Sequence, residues 1–512
     1  MSSRRTFLST SLKAAGGFAL SPGLIRQAGG RPDIPYGTAS GDVTRDRAII
    51  WSRTDRPARM LVEWSTTESF QNVRRVRGPH TTDAAGFTAR VDLTGVPSGQ
   101  RIFYRVQFED LTDSRNLSIP AAGTFLSAPR AARDVTFAWS ADTVGQGWGI
   151  NTAWGGLRMY ETMRLARPDF FIHTGDTIYA DSPVPPEIRL PDGTMWRNVV
   201  TAEKSKVAET LDEFRGNYTY NLLDDNVRRF NREIPQLWLW DDHEVKNNWY
   251  PGMSLDADDR YTQKDSRVLA ANARRAFLEY SPIRLAQGAI PPIYRSCSYG
   301  PLLEVFAIDL RTYRGPNTPN RQTAPSAETV HAGPQQLAWL KRALRSSTAT
   351  WKVIASDLPI GLIVRDGATA FEAIANADAG PPLGRELEIA DLLRFLQQQR
   401  IRNVIWVTGD VHYAAAHHYD PQRARFKAFD PFWEFVAGPL HAGTFGPNDL
   451  DGTFGPEARF SSVPPGSPPN RPPSDGLQFF GLVGISAKER VMTVELRNLA
   501  GEVIYAVDLD PT

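Results

Sequence analysis

The sequence predicts an α/β protein in which a small all-β unit precedes a larger α/β unit. Three observations carry that expectation. Short alternating or aromatic-rich runs crowd residues 31–128. Beyond "LSAPRAARD" apolar runs alternate with helix-like stretches. Six of those later runs end in an aspartate.

The chain has 512 residues. At roughly 100–200 residues per domain, that length suggests two or three domains. It is 41% hydrophobic and 22% charged, so a large buried core is possible. The formal charge of +1 gives no overall field for nucleic acid or an anionic membrane. Cys297 is the single cysteine, which excludes an internal disulfide framework and a zinc ribbon. Any metal must then be held mainly by histidine and oxygen ligands.

Residues 1–30 read as a targeting segment. Ser3-Arg4-Arg5-Thr6-Phe7-Leu8 is followed by a mildly apolar, acid-free stretch to about Leu24, too short to span a membrane well. That pattern reads as a twin-arginine export signal, with the twin-arginine machinery as partner and a periplasmic or extracellular destination; the alternative is a basic disordered N-terminus. No other 18-residue apolar run occurs, so the mature chain is expected to lack a transmembrane span. Residues 31–128 hold "AIIWSR", "MLVEWST", "FTARVDL" and "IFYRVQF", separated by turn residues, as in a β-sandwich. No acidic or histidine cluster stands out there.

Residues 129–512 alternate strands and helices. "VTFAWSA" ends at Asp142, "PDFFIHTG" at Asp176, "PQLWLW" at Asp241-Asp242, "LLEVFAI" at Asp309, "WKVIAS" at Asp357 and "NVIWVTG" at Asp410. Helical patterns fall at 157–166, in "PQQLAWLKRALRS" and in "RELEIADLLRFLQQQ". Residues 182–232 read as an insertion, and Val463–Asp475 as a Pro-rich loop. "FFGLVGIS", "RVMTVELRN" and "VIYAVDL" form a closing antiparallel meander.

One strand ending in aspartate is commonplace, since Asp caps and turns well. Six in one unit suggest a common rim, because α/β sheets bind ligands beyond the carboxyl ends of their strands. Carboxylates gathered there repel one another unless cations are bound. Of eight histidines, His173, His243 and His412 lie near strand-end aspartates, with His417 and His418 close behind. Oxygen ligands with some imidazole disfavour structural zinc and copper(I). Two cations roughly 3.5–4 Å apart could clamp an attacking and a leaving oxygen. Tyr179 either packs on the domain surface or ligates. A phenol of ordinary pKa about 10 binds as phenolate only to a strong Lewis acid such as ferric iron.

"YGTASGDVTRDRAIIWSR", "WSADTVGQGWGIN", "FFIHTGDTIYAD", "WDDHEVKNNW", "IDLRTYR" and "VTGDVHYAAAHH" occur in an order that resembles the PhoD-like alkaline phosphatase/phosphodiesterase family of the metallophosphoesterase superfamily. The resemblance covers nearly the whole chain. It implies a four-layer α/β/β/α sandwich behind a fibronectin-type β-domain, and an exported phosphoesterase acting on small phosphate esters. By that resemblance Asp142, Asp176, Tyr179 and His412 hold Fe3+. Asp176 bridges to a second cation, expected to be Ca2+, held also by Asp242 and Asp410. A water activated between the cations then attacks phosphorus.

His243, beside Asp242, either protonates the leaving alkoxide or steadies the phosphate. Asn247 or Asn248, and Arg311 or Arg314, are candidate substrate donors, although an arginine after a strand is more often a salt-bridge partner. Glu244 is expected to orient His243, His173 to stand behind the ligands, and Asp181 at most to cap a turn. The chain departs from the superfamily pattern at Val144, which cannot ligate where histidine is usual, and at Asp410, which also replaces histidine. Some relatives carry cysteine near Asp142. A phospholipase-like diesterase and a non-catalytic surface protein binding phosphate or metal are the alternative functions.

Overall fold

In a computed structural model, residues 30–512 are described, apart from 287, 289 and 290. The export segment lies outside the described residues. Among them, no helix is long and apolar enough to cross a membrane.

All six aspartate-ended runs form strands: Val135–Ser140, Phe170–His173, Gln236–Trp238, Leu303–Ala307, Trp351–Ala355 and Val404–Thr408. The first three run parallel in a nine-stranded sheet. The last three run parallel in a seven-stranded sheet. Strand alternation decides what each face meets. In the first sheet Val135, Phe137 and Trp139 share a core with Val305, Val353, Ile405 and Val407 of the second, so the sheets pack face to face. Ala138 and Phe171 point the other way, onto Met159, Met163, Phe230 and Phe277 of three helices. In the second sheet Phe306, Ile354 and Trp406 face outward onto Leu340, Leu344, Leu392 and Leu396. These belong to the helices Pro334–Ser346 and Glu386–Gln398. The result is helix, sheet, sheet, helix. Burying each large apolar side chain contributes about 1.5–3 kcal/mol, which makes this double core the main stabilising feature.

The C-terminal strands Phe479–Ile485, Met492–Asn498 and Val503–Leu509 form the expected meander, docked antiparallel on Val135–Ser140. Residues 182–232 contain a short hairpin and the helix Leu211–Asn221. That helix opens with a reciprocal Thr210–Glu213 capping box.

The N-terminal unit divides between two sheets. Arg74–His80, Ala58–Ser65, Arg101–Asp110 and Ala121–Leu126 make a four-stranded sheet. Thr38–Gly41, Arg47–Arg53 and Thr88–Thr94 extend the nine-stranded sheet instead. The junction is Gly41 beside Gln236, where any Cβ would strike the Gln236 and Pro282 carbonyls. Val43, Ile50 and Val62 therefore share one core with Val305 and Val353. Phe432–Val436, a further parallel strand that pairs with Val404–Thr408, carries no terminal aspartate and escaped the sequence pattern.

Candidate metal centre

The carboxyl ends of the parallel strands from both sheets open on one rim. Short loops leave the strands there, and four of their residues take left-handed backbone angles: Asp142 (φ 66°), Asp176 (54°), Asp410 (67°) and His412 (62°). Such angles are uncommon outside glycine and cost of order 1–3 kcal/mol, and they concentrate at functional sites. Here they turn side chains back over the strand ends.

Three groups of potential ligands result among the described residues, each with its ligand atoms within 4.8 Å of one another. They are Asp142–Asp176–His412, Asp176–Asp242–His243 and Asp241–Asp242–Asp410. Asp176 and Asp242 each belong to two groups and link the three into one chain. Asp142, Asp176, Asp241 and Asp242 are almost fully buried, and Asp410 is partly so. Burial, reinforced by neighbouring carboxylates, holds Asp142, Asp176, Asp241 and Asp410 well above the usual carboxylate range. Such a cluster ionises fully only around cations. Asp142 makes the need plainest, since both its carboxylate oxygens are buried without a hydrogen-bond partner. A bare buried carboxylate is expensive, and a cation would relieve it. The residues thus fit a hard metal.

Tyr179 is fully buried in this cluster rather than on a surface. Its Oη lies 2.8 Å from Nε2 of His412. Burial and the charges of Asp142 and Asp176 push the phenol well above 10, so it is a neutral donor unless a strong Lewis acid is bound. The Nδ1–H of His412 donates to the Gly443 carbonyl at 2.6 Å, which leaves Nε2 toward Tyr179 and Asp142. Burial lowers this imidazole to about 4, the neutral form a metal requires. The amides of Leu440, His441 and Ala442 converge on the Asp142 carbonyl and fix that turn. At Gly438 any Cβ would collide with the Asp142 carboxylate.

Several residues stand differently from the sequence expectation. Glu244 does not orient His243. Its carboxylate accepts the backbone N–H groups of Asp176, Thr177, Ile178 and Asp241, tying two ligand loops together. The partner of His243 is Asp181, with Nδ1 to Oδ1 at 2.6 Å. Burial opposes charge on this histidine, but Asp181, Asp242 and Asp176 outweigh it and raise its pKa well above the ordinary range. Asp181, despite its burial, is held down to about 2 by His243 and by the Asn247 amide. Nothing local in the sequence marks this pair, which spans 62 positions.

Arg311 does not reach a substrate. It is completely buried, with its guanidinium on Asp241 (2.5 Å), Asp357 (3.0 Å), Asp410 (3.1 Å) and Glu372. It is an internal counter-cation beneath the rim. Arg314 is likewise buried, bonded to Asn317 and the Glu372 carbonyl. Asn248 lines the cavity, but its amide is tied to Asp366. Asn247 lines the cavity beside His243. His173 lies behind the ligands, bonded to Thr143 at 2.7 Å. Asp309 and Asp357 support Trp240 and Arg311 instead of joining a ligand group. His417 bonds buried Glu434 and His418 packs on Trp433, both on the strand Ala415–Tyr419 and outside the three groups.

A cavity of about 360 Å3 opens over Asp176, Asp242, His243, Asp410 and His412. Gln146 and Glu372, which the sequence reading passed over, also line it.

Residues 137–496 match the family model described as PhoD-like phosphatase, and residues 19–129 match that of its N-terminal domain. The chain belongs to the PhoD-like phosphatase family. As a member it is a phosphoric-ester hydrolase. Alkaline phosphatase D of Bacillus subtilis (strain 168) is 27% identical over 478 residues, spanning 86% of this chain and 76% of that protein. A solved structure of PhoD superposes with a TM-score of 0.68 at 20% identity, covering 94% of this chain and 90% of that one. The purple acid phosphatase PPD1 of yellow lupin (Lupinus luteus) seeds gives 0.56 at 13% identity, over 94% and 74%. Both share the metallophosphoesterase architecture described above.

Proposed function

We propose that this PhoD-like phosphatase hydrolyses phosphate esters at a dinuclear centre in which Asp142, Asp176, Tyr179 and His412 hold Fe3+. Asp176, Asp242 and Asp410 hold Ca2+. The unpartnered, buried oxygens of Asp142 beside the Tyr179–His412 pair carry this reading. A phenol beside a neutral imidazole suits ferric iron, whereas the all-carboxylate end suits calcium. When bound, the cations supply Lewis acidity toward the phosphoryl oxygens and water.

The protein's own contribution centres on His243. Asp181 occupies Nδ1 and favours the protonated ring, which places His243 at the cavity as a proton donor. It protonates the departing alkoxide, as a positioned general acid. Asn247 supplies a neutral donor at the same wall. The segment Ser3–Leu8 supports export by the twin-arginine route.

One observation favours a diester with an apolar alcohol as substrate. Beside its acids, histidines and amide side chains the cavity is walled by Val364, Val411, Phe445 and Pro447, and among the described residues no lysine or arginine lines it. That environment accepts an apolar substituent more readily than further charge. The test is parallel turnover of a monoester and a diester of the same alcohol, before and after chelation. Loss of both activities on chelation and recovery with iron and calcium support the metal reading. Undiminished turnover after metal removal contradicts it.

A further inference from the structure

The Pro-rich loop Val463–Asp475 begins at buried Val463, which clusters with Val411, and approaches the candidate metal centre again at Asn470. Most of the loop faces solvent, yet Asn470 is half-buried. Its Oδ1 accepts from the Trp148 indole at 2.8 Å, and its Nδ2 donates to the Gln146 carbonyl at 3.3 Å. Asn470 takes a left-handed backbone angle (φ 54°), which asparagine tolerates better than most residues. Next to it, Arg471 and Thr444 exchange two backbone hydrogen bonds of 3.0 Å.

Both connections converge on Gly443. Gln146 accepts the Gly443 N–H at its Oε1 (3.3 Å). A Cβ at Gly443 would overlap the Asn470 amide, so only glycine lets the two segments meet. The Gly443 carbonyl takes the Nδ1–H of His412. The acceptor on the far side of a ligating imidazole fixes its tautomer and ring angle.

We propose that Asn470 is a positioning residue for His412: the Pro-rich loop, acting through Gln146 and Gly443, sets which imidazole nitrogen faces the metal. The inference uses the reading of His412 as a metal ligand, and it explains why a long exposed loop is anchored at the site by an amide. The loop therefore acts as a strap holding the 438–445 segment against the 142–148 segment.

The test compares the parent with Asn470→Ala, Asn470→Asp and Ser467→Ala. Ser467 bonds only its own loop, at the Pro464 carbonyl, and serves as control. Two readouts are taken: the ring N–H signal of His412 in histidine-labelled, metal-free protein, and release of metal to a chelator. For Asn470→Ala the account expects a ring N–H that exchanges at least about tenfold faster and metal affinity lowered about 10–100-fold. Asn470→Asp, which keeps the indole acceptor, should fall between, and Ser467→Ala should match the parent. Should Asn470→Ala fail to fold, Asn470→Asp decides alone: a parental ring signal and parental metal release overturn the proposal. Lower stability with both readouts unchanged also overturns it. A parent that binds no metal defeats the metal-centre reading, while the ring N–H comparison still decides the role of Asn470.

Discussion

His243 Nδ1 lies 2.6 Å from Asp181 Oδ1; both residues are buried, and His243 lines the cavity while Asp181 does not. This pair makes His243 the proton donor of the proposed mechanism. His243→Ala should lower turnover about 10²–10⁴-fold for esters of poorly acidic alcohols. The loss should be much smaller for a nitrophenyl ester, whose leaving group needs no proton. Asp181→Asn should cause a smaller loss and move the alkaline limb of the pH–rate profile to lower pH, because removing the carboxylate lowers the pKa of His243. Equal losses on both ester types would show that His243 does not act as the acid.

Arg311 should prove a stability residue. Its single positive charge is shared among buried Asp241, Asp357, Glu372 and Asp410. Arg311→Met leaves those acids without their counter-ion and should cost about 3–5 kcal/mol in denaturant unfolding. Arg311→Lys should rescue only part, since a point charge cannot reproduce the planar fork. An Arg311→Met protein of parental stability but raised KM would restore the substrate-contact role.

Glu244 ties together the loops carrying Asp176 and Asp241. Glu244→Gln replaces an acceptor-only carboxylate with an amide whose NH2 faces backbone N–H groups. Hydrogen bonds to charged groups contribute about 1.5–3 kcal/mol each, so unfolding free energy should drop by at least one such bond. Metal affinity should fall with it. Unchanged affinity in a destabilised variant would limit Glu244 to a folding role.

Lys204 predicts a pH dependence of stability. Its buried ammonium group donates to the Tyr179 carbonyl at 2.7 Å and to Asn217 at 2.9 Å. Burial lowers its pKa from 10.5 to about 7. Between those values the unfolded chain binds more protons than the folded one, so Lys204 makes stability rise with pH across that window. Denaturation midpoints measured from pH 7 to 10 should rise more steeply in the parent than in Lys204→Met. Identical slopes would contradict the assignment.

The strands and their terminal aspartates were legible because an apolar run ending in Gly-Asp or Asp-Asp is a local pattern. A shared acidic rim was legible once parallel strands were expected, whereas the assignment of individual ligands came from the family resemblance. The Asp181–His243 pair was not legible, because its members are joined only by tertiary packing across the 182–232 insertion. Arg311 stood as a candidate substrate donor because burial of a charged residue leaves no mark on spacing; the salt-bridge alternative is the one the structure shows. Glu244 was misread for a related reason. Its four partners are backbone amides, which a sequence does not display. Phe432–Val436 was overlooked because it ends in Val-Ala-Gly, without the aspartate that flagged its neighbours.

The most direct test of the dinuclear iron–calcium centre is metal analysis with visible absorption on the parent and on Tyr179→Phe. The account predicts about two metals per chain in the parent, one of them iron, with a tyrosinate-to-iron absorption band. Tyr179→Phe should retain measurable iron through Asp142, Asp176 and His412 but lose the band. A colourless parent without iron, still active on phosphate esters, would contradict it.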